Sequence, residues 1–162
     1  MESGRKLRIY LDTSVISNLF ADDAPSQMEG SNLLWEKCML GAYDVFVSAL
    51  VFDELDNCPE PKRGRLFERL RLIRFQTLLK TKDVDDLAAE YVKKGVLKEK
   101  HIADCYHIAY AVAHGCDVIV SWNFEHLVNE KTKGRVKIVN ATNRYREIGI
   151  VSPDLLLEGV WK

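Results

Sequence analysis

Four side chains in this sequence have types and settings suited to metal-assisted chemistry: Asp12, Glu54, Asp104 and Asn123. Asp12 ends an apolar, β-forming run, RKLRIYLD, that predicts a first strand. Glu54 lies in ALVFDELDN, read as a helix following a second strand, YDVFVS. Asp104 stands in the first turns of HIADCYHIAYAVAH, the most apolar helical stretch of the chain. Asn123 comes after a continuous apolar strand, DVIVS, beyond Ser121 and Trp122. All four fall near the carboxyl ends of predicted strands, where open α/β sheets hold their ligands. Carboxylates gathered in one place repel one another and lose hydration. A hard divalent cation with oxygen ligands, Mg2+ or Mn2+, offsets that cost. Such an ion activates water and neutralises charge on a phosphodiester.

Each residue also has a plainer reading. Asp12 and Asn123 both suit helix N-caps. Glu54 has acidic neighbours, Asp53 and Asp56, and any of the three suits a solvated helix face. Asp104 is harder to dismiss, because Ile102, Cys105 and Ile108 surround it and an acid in such a helix is uncommon unless paired. His101, Asp104 and His107 invite a different, zinc-like reading. Six residues at about 100° each set the two histidines about 240° apart, so they do not share a helix face. His107 is expected instead to pack or hydrogen-bond near Asp104, one turn away. Trp122 and Phe124 read as core, with stacking on a nucleic-acid base as the sharper alternative.

These residues need a frame. Thr13 or Ser14 is expected to cap a short helix over SVISNLF, and a helix over 26–40 to stop at Gly41. Ser48 suits the cap of the helix after the second strand. Pro59 and Pro61 interrupt the chain before a basic helix reaching about Ile73, and FQTLLKT predicts a third strand. Asp83 is expected to cap a helix to about Lys94, a further helix to cover much of 124–147, and GIVSP to form a last short strand. Strands alternating with helices predict an α/β fold with a parallel sheet and helices on both faces. We expect one domain over 1–162, with core motifs at about 7–128 and a C-terminal helix and short strand at about 129–155.

The bulk properties agree with that frame. The 162 residues, 47% hydrophobic and 29% charged, suit one domain with one sizeable core. No stretch approaches the run of about 20 apolar residues that a membrane helix needs. The opening MESGRKLRIYLDT does not read as a signal peptide, so the cytoplasm is the expected location. Cys38, Cys58, Cys105 and Cys116 form no C-x-x-C pair and are expected to be buried or half-buried thiols. A net charge of -1 does not announce a nucleic-acid binder. Residues 60–74 nevertheless carry Lys62, Arg63, Arg65, Arg69, Arg71 and Arg74 against two acids, and 131–146 form a second basic stretch. Such runs are either solvated helix faces or nucleic-acid contacts.

The stretches YLDTSVISNLF, VSALVFDEL and ADCYHIAYAVAHGCDVIVSWNFEHLVN together resemble the ordered motifs of PIN domains, particularly VapC-like toxins of toxin–antitoxin modules. Singly these motifs are weak; their order and spacing, over about 12–128, make them specific. The resemblance implies a PIN-like fold and a metal-dependent endoribonuclease that hydrolyses RNA without a covalent enzyme intermediate. It implies Asp12, Glu54 and Asp104 as catalytic ligands of Mg2+ or Mn2+, Asn123 at a fourth catalytic position, and Ser14 and Ser121 in support. Asn123 departs from the all-acid version, and Glu125 and His126 are the nearby side chains that would complete the site in its place. With one charge fewer, one metal is expected to bind firmly and a second to arrive with the RNA phosphate. A protein antitoxin partner and a homodimer are also implied. The apolar residues Leu19, Phe20, Leu33, Leu34 and Trp35 are the expected antitoxin surface, the alternative being that they fill the core.

The serious rival is a non-catalytic PIN-like domain that binds RNA or protein, with Asn123 marking lost activity; the three other acids argue against it. A haloacid-dehalogenase-like phosphotransfer enzyme would need a second Asp where this chain has Ser14. A P-loop, and a glycine-rich turn after the first strand, are both absent.

Overall fold

The computed structural model describes residues 4–161; positions 1–3 and 162, which belong to the expected domain, lie outside the described residues. Five short strands form one parallel sheet. Strand β1 (Arg8–Leu11) pairs with β2 (Asp44–Ser48) on one side and β4 (Val118–Val120) on the other. The edges are β3 (Gln76–Leu78) and β5 (Gly149–Val151), giving the order β3-β2-β1-β4-β5. Ile9 stands opposite both Val45 and Val118, and all three are buried. Burial on both faces explains why DVIVS reads as a continuous apolar run.

Helices α1 (Thr13–Ser17), α2 (Pro25–Met39), α3 (Ala49–Asp56) and α4 (Lys62–Leu70) lie in the crossovers from β1 to β2 to β3. Helices α5 (Lys82–Lys93), α6 (Ile102–Ala113) and α7 (Glu130–Thr142) serve the crossovers that run the other way, to β4 and β5. Right-handed crossovers therefore put the two groups on opposite faces of the sheet. The packing agrees: α5 lies against α6 and α7, whereas the last helix, α8 (Pro153–Leu157), returns to pack on α2. Among the described residues no helix is long and apolar enough to cross a membrane. Cys38, Cys105 and Cys116 are buried free thiols and Cys58 is half-buried, as the sequence suggested.

Several local expectations change. The cap of α5 is Thr81, whose hydroxyl accepts from the Val84 N–H; Asp83 lies inside the first turn, where its charge suits the helix dipole instead. Asp12, rather than Thr13 or Ser14, occupies the position before α1, and all three side chains turn into the site. The helix expected within 124–147 is shorter. Residues 124–129 form turns, because the Asn123 side-chain oxygen accepts from the His126 N–H and Asn129 caps α7 by accepting from the Thr132 N–H.

The expected antitoxin surface is also corrected. Leu19, Leu34 and Trp35 are buried in the core, and the Trp35 indole donates to the Arg69 carbonyl at 2.9 Å. Phe20 is half-buried beneath the Arg69 guanidinium, and Leu33 is exposed. The sequence could not separate these roles because α2 packs on the Asn18–Phe20 turn and on α8 and is also touched by the end of α4 through Trp35 and Asn32.

Candidate active site

The strand order reverses between β1 and β4, and a crevice at the carboxyl ends of strands is expected at such a point. Asp12 leaves β1 there, and Ser121 leaves β4 beside it. The buried Asp12 carboxylate accepts through Oδ2 from Ser121 at 2.6 Å and from Ser14 at 2.8 Å. Those hydroxyls in turn accept backbone N–H groups: Trp122 donates to Ser14 and Asn123 to Ser121, each at 2.9 Å. The two serines thereby lash the ends of β1 and β4 together through one carboxylate.

The second acid arrives from α3. Ser48 caps that helix by accepting from the Val51 N–H, which fixes where its second turn points. Glu54 accepts from Thr13 Oγ1 at 2.5 Å and meets His107 Nε2 at 2.9 Å through the same oxygen. His107 also lies 3.4 Å from Asp12 Oδ1, and its other nitrogen is 2.7 Å from the Tyr10 hydroxyl, itself 2.8 Å from Ser48 Oγ. So His107, expected to pack or hydrogen-bond near Asp104, hydrogen-bonds Glu54 and lies against Asp12, with Asp104 still within reach of its charge. On α6 it points inward while Asp104 faces the crevice rim. Burial opposes a charge on His107, but Asp12, Glu54 and Asp104 together outweigh it and raise its pKa above the ordinary imidazole value. Burial likewise pushes the Glu54 carboxyl up, but His107 and the Thr13 hydroxyl outweigh it and hold the pKa below the usual range.

Asp104, from the first turn of α6, is held differently. Burial raises its pKa, His107 opposes that rise, and the negative charge of Asp12 adds to it; the net shift is upward. Its Oδ2 lies 3.0 Å from His126 Nδ1, and the Asn123 amide donates to its Oδ1 at 3.5 Å. Asn123 therefore faces Asp104 with its NH2, its oxygen being committed to the His126 N–H at 2.9 Å. Glu125 is exposed and reaches His126 Nε2 at 3.9 Å. Trp122 is buried, donating to Ser31 Oγ at 2.9 Å, whereas Phe124, expected in the core, is about half exposed.

The geometry thus joins Asp12 to Glu54 through His107, and Asp104 to Asn123 and His126. Thr13, Tyr10 and the bridging role of His107 escaped the sequence. The only signal was a histidine set one turn after an aspartate in an otherwise apolar helix.

A sequence profile of the PIN domain matches residues 9–125. Among solved structures, VapC20 of Mycobacterium tuberculosis, described as a toxin that cleaves the sarcin–ricin loop, superposes with a TM-score of 0.55. It shares 17% identity, and the match covers 73% of this chain and 92% of that one. VapBC2 of Rickettsia felis, solved bound to a DNA fragment from its own promoter, gives a TM-score of 0.50 at 13% identity, covering 89% of this chain and 97% of its counterpart. No curated protein matches.

Proposed function

The chain belongs to the PIN-domain family, and from that premise we propose that it is a divalent-metal-dependent endoribonuclease, the toxin of a cytoplasmic toxin–antitoxin pair. The observation that supports this reading is Asp12 at the reversal of strand order, joined to Glu54 through His107 and close enough to Asp104 for its charge to be felt there. The donor set suits a hard cation. Its oxygens are anionic, and the charge on Asp104 is disfavoured by burial and by Asp12, a penalty that a divalent ion reverses. Asp12, Glu54 and Asp104 would hold Mg2+ or Mn2+, which supplies Lewis acidity to a water and to a phosphodiester oxygen.

The chain's own residues do the positioning. Ser14 and Ser121 fix the rotamer of Asp12, and Thr13 fixes that of Glu54. His107 lies beneath both acids and limits their mutual repulsion. Asn123 orients Asp104. Phe124, exposed next to Asn123, offers a ring on which an RNA base can stack. The partner, by analogy with VapBC2, is a protein antitoxin, and the working form is a homodimer.

The test is cleavage of RNA by the full chain with and without Mg2+ or Mn2+. We expect cleavage only with metal, and its loss in Asp12→Asn and Asp104→Asn. Undiminished cleavage in both variants would overturn the assignment of these acids. Metal and RNA binding without cleavage would favour the non-catalytic PIN-like reading.

A further inference from the structure

One of the three acids, Asp104, also belongs to a cluster of different chemistry. His101 ends the 3-10 turn Glu99–His101, Asp104 opens α6, and His126 comes from the turns after β4. One ligand atom of each can be chosen so that all three lie within 4.8 Å of one another. The closest pair, Asp104 Oδ2 and His126 Nδ1, is 3.0 Å apart, and the two imidazole rings lie 3.9 Å apart between centroids, tilted by 39°. Zinc bound at about 2.0–2.2 Å to nitrogen and oxygen sets tetrahedral ligand atoms about 3.3–3.6 Å apart, so a small inward movement of these side chains would complete the site. All three residues are half-buried, so the cluster is partly shielded yet open to an ion and to water.

We propose that His101, Asp104 and His126 form a transition-metal site that takes Zn2+ in preference to Mg2+. Two imidazole nitrogens and one carboxylate are a donor set that zinc accepts readily, leaving a position for water. Mg2+ dehydrates reluctantly and seeks an oxygen octahedron, which two imidazoles cannot begin. Asn123 supplies the outer support such sites need: its amide donates to Asp104 and its oxygen holds the His126 backbone, so two of the three ligands are oriented by one side chain. The Glu125 carboxylate lies 3.9 Å from the far nitrogen of His126, on the solvent side. Helical spacing on α6 alone conceals this site, because the second histidine arrives from another element. These side chains would hold the ion whether or not the chain cuts RNA.

The experiment uses the full, metal-stripped chain at neutral pH. Zn2+ is titrated by calorimetry, without Mg2+ and with it equimolar or in large excess, and Co2+ is added as a spectroscopic probe of nitrogen ligation. We expect one Zn2+ per chain, weakened by excess Mg2+ only through competition for the shared Asp104 and not displaced by equimolar Mg2+, and a visible Co2+ spectrum. His101→Ala and His126→Ala should each weaken Zn2+ binding by tenfold or more, whereas Asp12→Asn should leave it in place; circular dichroism verifies the fold of each variant. Absence of stoichiometric Zn2+ binding, displacement by equimolar Mg2+, or binding unchanged in both histidine variants would overturn the site. Loss of RNA cleavage in Asp12→Asn with Zn2+ binding intact separates this proposal from the nuclease reading.

Discussion

At the scale of single residues, the three acids are not equivalent, and their removal should move stability in opposite directions. Asp104 carries a charge that burial and Asp12 make unfavourable. Asp104→Asn should therefore raise the melting temperature in metal-free buffer. Asp12 is satisfied by two serine hydroxyls and lies against His107. Asp12→Asn should lower stability by about 1–3 kcal/mol, the range for losing hydrogen bonds to a buried charged group. Thermal unfolding of both variants checks the signs; a rise for both would mean that plain repulsion among the acids dominates. The His107–Glu54 pair also gives a pH signature. A raised histidine pKa contributes stability that is complete below its unfolded value, about 6.5, and is lost as pH rises through the folded value. A lowered glutamate pKa contributes stability that is complete above its unfolded value, about 4.3, and is lost as pH falls through the folded one. The stability difference between the wild type and His107→Gln should thus be largest between about pH 4.3 and 6.5 and shrink on both sides. Denaturant titrations across that range decide it; a flat difference would mean that the pair does not titrate as a unit.

At the scale of elements, the sequence announced kinds better than ends. The strands and main helices were legible from their apolar patterns; Asp12 and Asp104 stood out because one ends a strand and the other opens an apolar helix, whereas Glu54, in the second turn of α3, rested on the family resemblance. Caps were less legible, since several hydroxyl and carboxyl side chains compete near each helix start: Thr81 against Asp83, Asp12 against Thr13 and Ser14. Contacts across elements were not legible at all, as with His107 reaching α3 and His101 meeting His126. One such contact ties a helix to the site. A Cβ on Gly30, within α2, would lie 2.7 Å from the Trp122 ring, whose indole is pinned by Ser31 and whose backbone N–H holds Ser14. Gly30→Ala gains up to about 1 kcal/mol in helix propensity. Overpacking against a buried ring costs about 1–3 kcal/mol. The variant should therefore melt lower than the wild type and cut RNA more slowly, because Ser14 orients Asp12. A higher melting temperature with full activity would show that the ring has room to shift.

At the scale of the whole molecule, parts of both basic stretches lie at the amino ends of the strands, away from the site. Helix α4 starts after α3, on the side of the site, and runs back toward the amino ends of the strands. Its sequel, Arg71 and Arg74, lines a groove there with Lys6, Arg8, Asp44 and Gln76, far from Asp12. Arg146, from the second basic stretch, is likewise occupied at that end by Asp117 and the Gly115 carbonyl. Charge runs in sequence thus overstate the positive surface facing a substrate. Arg71→Ala and Arg74→Ala should leave kcat/KM for RNA cleavage and its salt dependence within about twofold of wild type, whereas each phosphate contact removed would reduce the salt slope by nearly one. A clear loss of salt dependence in either variant would place RNA across that groove instead.

The late return of the chain has a bearing on how such domains are cut and handled. The stretch by which the family is recognised stops at residue 125, just after β4. The remaining C-terminal segment supplies β5, which covers the outer side of β4, and the helix that closes over α2. A fragment trimmed to the recognisable motifs would keep every residue read as catalytic and yet present Val118, Ile119 and Val120 as an unpaired apolar edge, a template for sticking to its own kind. The portion that carries the signature and the portion that keeps the edge of β4 paired are therefore different lengths of the same chain.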